Sequence, residues 1–229
     1  MSSHCGTYSH HISDSIITIN IQTRSNCFFG IVANPTKGSN TRHNIYLCVS
    51  FKMLLVALLI AVYILAPKGY VTWWPTLIPF NQGDAQKVLR RTKNRSMNEV
   101  SLFKESDPGV HKVFSYIINR PEVEVRRVAA RQNAFIFLLK YFFNRPRPYQ
   151  VIPEIRENML ESKTGDTPAY PAGHTYQAYL VAKHYARLYP EKANILYRTA
   201  ENIGQSRIAA GIHYPTDHKI SKTLALMLG

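Results

Sequence analysis

Three short segments concentrate cationic and imidazole side chains at fixed spacings. KYFFNRPRP places Lys140 six intervening residues before Arg147 and Pro148. AYPAGHT carries Pro171, Ala172, Gly173 and His174, and SRIAAGIHYPTD runs from Ser206 and Arg207 across five residues to His213, then three more to Asp217. Taken singly each is modest: a Lys and an Arg at a helix end also suit a solvated face, PAGHT an ordinary helix start, and His213 with Asp217 a surface pair or a cap. Asp217 is also placed to N-cap the final segment. Taken together they suit phosphoryl transfer. Lys140, Arg147 and Arg207 supply three positive charges, and arginine forks match phosphate oxygens bidentately. Gly173 lets its N–H approach an oxyanion at the start of a helix, where the dipole favours anions. Two histidines match the proton-transfer and nucleophilic tasks, and an Asp four residues after a His can hold its Nδ1–H and present Nε2. Charge neutralisation by these groups replaces a metal.

The three segments resemble the three-part signature of the type 2 phosphatidic acid phosphatase superfamily: K-x6-R-P, P-S-G-H and S-R-x5-H-x3-D. That superfamily includes class A nonspecific acid phosphatases, membrane lipid phosphatases and vanadium haloperoxidases. The resemblance runs from about Glu122 to Leu226, and all spacings match. One position departs, Ala172 standing where the family has Ser, so one hydroxyl contact to phosphate is missing. By motif position the resemblance implies His213 as nucleophile and Asp217 as its orienting partner. It implies His174 as the acid that protonates the leaving oxygen and then as the base that activates water. Lys140, Arg147, Arg207, the Gly173 N–H and the backbone of Ala172 would bind phosphate. It also implies an all-α helical bundle of the acid phosphatase/vanadium haloperoxidase type.

The elements that must position these residues read as helices. Asp84 to Arg95 and Met97 to Glu105 are short amphipathic stretches. Pro121 suits a helix start, and one helix is expected from Glu122 to Phe143, stopped by Pro146 and Pro148. Further helices are expected from about His174 to Leu188, stopped by Pro190, and from Glu191 to about Gly211. No long alternation of apolar and polar residues marks a sheet.

The 229 residues divide into a polar, aperiodic tail at 1–44, an apolar segment at 45–66 and a phosphatase domain at 67–229. Segment 45–66 reaches the roughly 20 residues that span a bilayer only if Ile45 to Phe51 are included. It reads as a signal-anchor, a signal segment or a buried core helix, in that order of preference. Pro67 after Ala66 makes a poor cleavage site, and Trp73 and Trp74 suit a membrane interface. The basic residues Lys37, Arg42 and Lys52 precede it against Lys68 after it. That bias places the catalytic part outside the cytosol, membrane-anchored or exported to a periplasm.

The mean hydropathy of −0.18 is too polar for a chain made mostly of membrane spans. The 28 Lys+Arg against 14 Asp+Glu, a net charge of +14, attract anions without choosing among them. Cys5, Cys27 and Cys48 all precede residue 49, so the domain folds without disulfides. No Cys/His set has zinc spacing, and the His10–His11 pair is weak as a metal site.

The leading expectation is a metal-independent phosphomonoesterase, acid phosphatase-like, acting through a phosphohistidine on a phosphorylated small molecule. The text around the motifs is closer to the class A acid phosphatases than to lipid phosphatases, which thread about six helices through the bilayer. The alternative is a lipid phosphate or polyprenyl diphosphate phosphatase at the membrane surface, held by residues 45–66. A vanadate-dependent haloperoxidase ranks lower. A nucleic-acid-binding protein explains the charge but not the spacings, so nucleic acid is not an expected partner. No cofactor is expected, and vanadate is expected to inhibit as a transition-state mimic. Hydrolysis of p-nitrophenyl phosphate should therefore survive EDTA and be competitively inhibited by vanadate. Loss of activity in EDTA, restored by Mg²⁺ or Zn²⁺, would contradict the metal-free cradle.

Overall fold

The computed structural model describes residues 75–229, the strand residues Thr7–Ser9 and Thr18–Asn20, and the single helical residue Ala57. The chain divides into two units, Met1–Ala66 and Pro67–Gly229. In the first, β1 (Thr7–Ser9) and β2 (Thr18–Asn20) pair antiparallel with Tyr8 opposite Ile19. Pairs of three residues are too short to register as alternation in the sequence, so this ribbon was not expected. Those residues and Ala57 apart, the tail and the anchor or signal segment, with the three cysteines, His10, His11, Trp73 and Trp74, lie outside the described residues.

The described part of the second unit is helical throughout, as expected. Helix α1 (Gln82–Lys93) starts where the Asn81 side chain accepts the Asp84 N–H at 3.1 Å. Helix α2 (Met97–Ser106) starts at a Ser96/Glu99 capping box. Helix α3 (His111–Ile118) ends at Asn119, left-handed at φ 57°. The single helix expected over Glu122–Phe143 is two, α4 (Glu122–Ala130) and α5 (Asn133–Phe143). Gln132 leaves helical geometry between them, and its amide donates to the Leu228 carbonyl at 3.1 Å. Glutamine is a good helix former, so propensity gives no warning of a break at this position. Pro121 occupies the N-cap rather than the first helical position.

Two short helices follow, α6 (Pro148–Val151) and α7 (Pro153–Asn158), each with Pro at its first position. Helix α8 (Gly173–Leu188) is the centre of the bundle. It packs on α4, on α9 (Ala193–Ala209) and on α10 (Pro215–Leu228), while α9 also lies against α2. A 3₁₀ turn at Pro190–Lys192 connects α8 to α9. Tyr176, Ala178, Tyr179, Val181, Ala182 and Tyr185 bury α8 on several sides at once, as a central helix requires. Gly204 makes the convergence of α9 and α10 possible: a Cβ there would lie 2.0 Å from His218 Nδ1. Gly211, at φ 82°, turns the chain after α9 toward His213. Tyr214, not Asp217, is the N-cap of α10, and Asp217 is its third residue, reaching back to accept the Tyr214 N–H at 2.8 Å.

Helix α8 begins without a side-chain cap, because its N-cap is the buried Ala172. Ala172→Ser should therefore add about 1 kcal/mol by capping a first-turn N–H. Differential scanning calorimetry should show a Tm raised by about 2–4 °C with turnover retained. A large loss of activity would mean that the loop geometry at 171–174 is not the one described.

Candidate active site

The three segments converge because each lies at an end of a central helix. Lys140 is in the last turn of α5, buried, its Nζ donating to the Pro168 carbonyl at 2.7 Å. Asn144 ends α5 in the left-handed conformation at φ 46°, and Arg147 is the extended N-cap of α6. Arg147 is 1% exposed. Its Nε donates to the Thr167 carbonyl at 2.8 Å, and its Nη1 to the Ile212 carbonyl at 2.9 Å. Arg207 ends α9 on the other side, with His213 and Asp217 at the junction of α9 and α10.

The hydrogen bonds of His213 define its tautomer. Its Nδ1 lies 3.3 Å from Asp217 Oδ2 and its Nε2 lies 3.3 Å from Arg147 Nη1. A carboxylate accepts and a guanidinium donates, so Nδ1 carries the proton and Nε2 presents its lone pair. Burial depresses the His213 pKa well below the ordinary histidine value, and Arg147, Lys140, Arg207 and His174 lower it further. Burial pushes the Asp217 carboxyl up, against Arg145, the Tyr214 N–H and Lys140.

His174, second residue of α8, is half-buried, and its Nε2 is 3.0 Å from the Asp107 carbonyl. A carbonyl only accepts, so Nε2 holds a proton and Nδ1 is the nitrogen that can exchange one. Burial and then Arg207 lower its pKa to about 3. Gly173 leaves its surroundings roomy: a Cβ there would meet Lys140 Cε at 3.6 Å, an ordinary contact.

Arg207 is held by Asp107, whose Oδ1 accepts from Nη1 at 2.6 Å, and it lies over the Phe103 ring at 4.8 Å. Burial alone would raise the Asp107 carboxyl, but Ser162, Arg207 and the Lys163 N–H bring it down to about 2. Burial lowers Arg207 to about 10, against Asp107. Its Nε–H is buried with no partner. Lys140 and Arg147, among the described residues, make no ion pair; their bonds go to neutral carbonyls, a hydroxyl and His213. Burial, and then Arg147, push Lys140 well below the ordinary lysine value, and burial lowers Arg147. An anion beside them and the unpaired guanidinium N–H would offset that cost, so the arrangement could receive one.

Lys140, Arg147, His174, Arg207, His213 and Asp217 thus gather around the start of α8, with Ala172 and Gly173 supplying its first turn. Asp107 and Arg145 were not singled out from the sequence. Asp107 closes α2, 100 residues before its partner Arg207, and nothing in KESDPG signals it. Arg145 had a signal, lying two residues before Arg147 in NRPRP. Among the described residues, no three His, Cys, Asp or Glu side chains are grouped as metal ligands would be. A cavity of about 710 Å³ is lined by Ile78, Phe80, Asp84, Arg145, Tyr170 and Thr216 among others, and none of the two histidines, Lys140, Arg147 or Arg207 borders it.

The sequence profile of the PAP2 superfamily matches residues 127–229. Residues 127–229 belong to the PAP2 superfamily. The match spans all three motif segments. The chain is similar to a transmembrane PAP2-type phosphatidylglycerolphosphate phosphatase from Bacillus subtilis, with 14% identity over 76% of this chain and 88% of that one, at a TM-score of 0.47. It is also similar to LpxE from Aquifex aeolicus, with 22% identity over 65% of this chain and 84% of that one, at a TM-score of 0.40. No protein of curated function matches the chain. Among the described residues, no helix is long and apolar enough to cross a membrane.

The histidines set a pH dependence of stability. His174 has a pKa of about 3 folded against 6.5 in an unfolded chain, so between those values the unfolded state binds more protons and stability rises with pH. His213, depressed by burial, adds the same slope, as do His111 and His184. Asp217, raised by burial, opposes them above 3.8. The ligand-free protein should melt lower at pH 5 than at pH 7. Phosphate, whose charge favours the imidazolium, should at one fixed concentration raise Tm more at pH 5 than at pH 7, by about 5–10 °C where that concentration is about a hundredfold above the pH 5 Kd. Melting scans at both pH values, with and without phosphate, check this; an equal phosphate effect at the two would contradict proton-coupled anion binding.

Proposed function

We propose that the protein is a metal-independent phosphomonoesterase that acts through a phosphohistidine on His213. The observation that carries this reading is His213 itself, an imidazole with Nδ1 on Asp217 and Nε2 facing Arg147, which like Lys140 has no carboxylate partner among the described residues. The Arg147 N–H covers the Nε2 lone pair. A substrate phosphate drawing Arg147, Lys140, the Arg207 Nε–H and the Gly173 N–H onto its oxygens would release that lone pair for attack.

The reaction follows in two balanced steps. Nε2 of His213 forms the N–P bond as the P–O bond to the leaving alcohol breaks, and the His174 imidazolium gives that oxygen its proton. The His213 ring, positive once phosphorylated, keeps its Nδ1–H on Asp217. Water then attacks phosphorus, giving a proton back to neutral His174, and the N–P bond breaks to release phosphate. His174 is neutral above about pH 3 in the empty site. Substrate binding must therefore bring in a proton, with the phosphate's negative charge raising the imidazole pKa.

A second reading, hydrolysis of a lipid phosphate or polyprenyl diphosphate at a membrane surface, is favoured by the apolar stretch at 45–66. In both readings that stretch is proposed as the membrane attachment, with the catalytic part outside the cytosol or exported.

Rapid acid quench with ³²P-labelled substrate should trap an acid-labile, base-stable adduct in the wild type and none in His213→Ala. His174→Ala should lose about 10²–10⁴-fold in turnover on alkyl phosphates and much less on p-nitrophenyl phosphate, whose leaving group hardly needs a proton. Label accumulating normally in His213→Ala would overturn the mechanism. A panel of soluble monoesters, nucleotides and phosphatidate in vesicles separates the two substrate readings.

A further inference from the structure

We propose that Arg145 is a positioning residue for the His213–Asp217 pair, fixing the carboxylate that fixes the histidine tautomer. This rests on the reading of His213 as nucleophile. Arg145 is as buried as the phosphate-site arginines, at 3% exposed, yet its bonds lead elsewhere. Its Nη1 donates to Asp217 Oδ1 at 2.6 Å and to Thr216 Oγ1 at 2.7 Å. Its Nη2 is 3.9 Å from Asp84 Oδ2, and the guanidinium lies over the Tyr214 ring at 3.9 Å. Thr216 in turn donates to Asp84 Oδ2 at 2.6 Å. The guanidinium is thus wedged between α1 and the first turn of α10, held by two acidic side chains, a hydroxyl and an aromatic face.

Asp217 divides its oxygens accordingly. Oδ2 takes the Tyr214 N–H and the His213 Nδ1–H, and Oδ1 takes Arg145. The carboxylate is fully buried, so an oxygen deprived of its donor would favour a proton. A protonated Asp217 would lose its hold on Nδ1–H, and His213 could then place its proton on Nε2, the nitrogen that must attack. The groups facing Asp217 are His213, Arg145, Lys140, Tyr170 and Tyr214, with Arg147 beyond His213 and Asp84 beyond Arg145. Among these only Arg145 places a cation against Oδ1.

The local sequence explains the division of labour. Pro146 disfavours helical backbone at Arg145, and Arg147 is extended. Residues two apart in extended chain project to one side, roughly 6–7 Å apart. Arg145 and Arg147 therefore clasp opposite ends of one pair, the carboxylate and the Nε2 lone pair.

The test compares full-length Arg145→Met and Arg145→Lys with Arg147→Met. Readouts are kcat and KM on p-nitrophenyl phosphate, the Kd for inorganic phosphate, the pH–rate profile and the ¹⁵N-histidine NMR spectrum. Arg145→Met should lower kcat about 100-fold while KM and the phosphate Kd stay within about threefold. Its acid limb should move up by about one pH unit, and the His213 signal should lose its pure Nδ1–H form. Arg145→Lys should recover part of each, and Arg147→Met should instead weaken phosphate binding. The proposal is overturned if Arg145→Met weakens phosphate as Arg147→Met does, if kcat is unchanged, or if kcat falls with tautomer and pH profile unaltered. If Arg145→Met fails to fold, the Arg145→Lys tautomer and pH profile decide. If the wild type hydrolyses no phosphomonoester, the functional reading fails, while the histidine spectra of wild type and Arg145→Lys still decide the positioning role.

Discussion

Positive charge buried without a matching anion is the constraint around which this domain is organised. Lys140, Arg147, Arg207 and Arg145 are all nearly inaccessible to water, while the carboxylates beside them are Asp107, Asp217 and Asp84. The carboxylates are committed to Arg207 and Arg145. Lys140 and Arg147 are left with neutral acceptors, and burial lowers the pKa of both, Lys140 well below the ordinary lysine value. The rest of the bundle supplies the energy and the rigidity to hold them there, chiefly the apolar faces that α4, α9 and α10 present to α8.

Rigidity comes from pairing each functional group with a partner on a different element. Arg207 on α9 is tied to the end of α2 through Asp107, whose backbone also receives His174 from α8. Arg145 between α5 and α6 is tied to α10, and through Thr216 to α1. Behind the site, Glu201 on α9 accepts from Tyr179, His218 and Lys222, joining α8, α9 and α10. The imidazoles and guanidiniums are therefore pre-set, which is what electrostatic stabilisation of a transferring phosphoryl group requires.

The same burial that aims the groups also couples them to pH. Desolvation and the cations around them lower the pKa of both histidines. In the proposed reaction an incoming phosphate would oppose the second of these influences, so anion binding and protonation would reinforce each other.

Much of the site was legible in the sequence, because motif spacing is a local property. Lys140, Arg147, Gly173, His174, Arg207, His213 and Asp217 could be named from fixed offsets within three short segments, and the helical periodicity around them marked most of the helices. What the sequence could not carry were decisions made by distant partners. The break at Gln132 coincides with a bond to Leu228, 96 residues on, and the Asp107–Arg207 pair joins residues 100 positions apart. The role of Asp217 as a back-reaching third residue of α10, rather than its N-cap, depends on where Tyr214 lies. The split between Arg145 and Arg147, two residues apart in one segment, was decided by their distant partners: Asp217, Thr216 and Asp84 for the first, Thr167, Ile212 and His213 for the second. A side chain's type fixes which bonds it can make, but which partner it meets is set by packing that no stretch of sequence contains by itself.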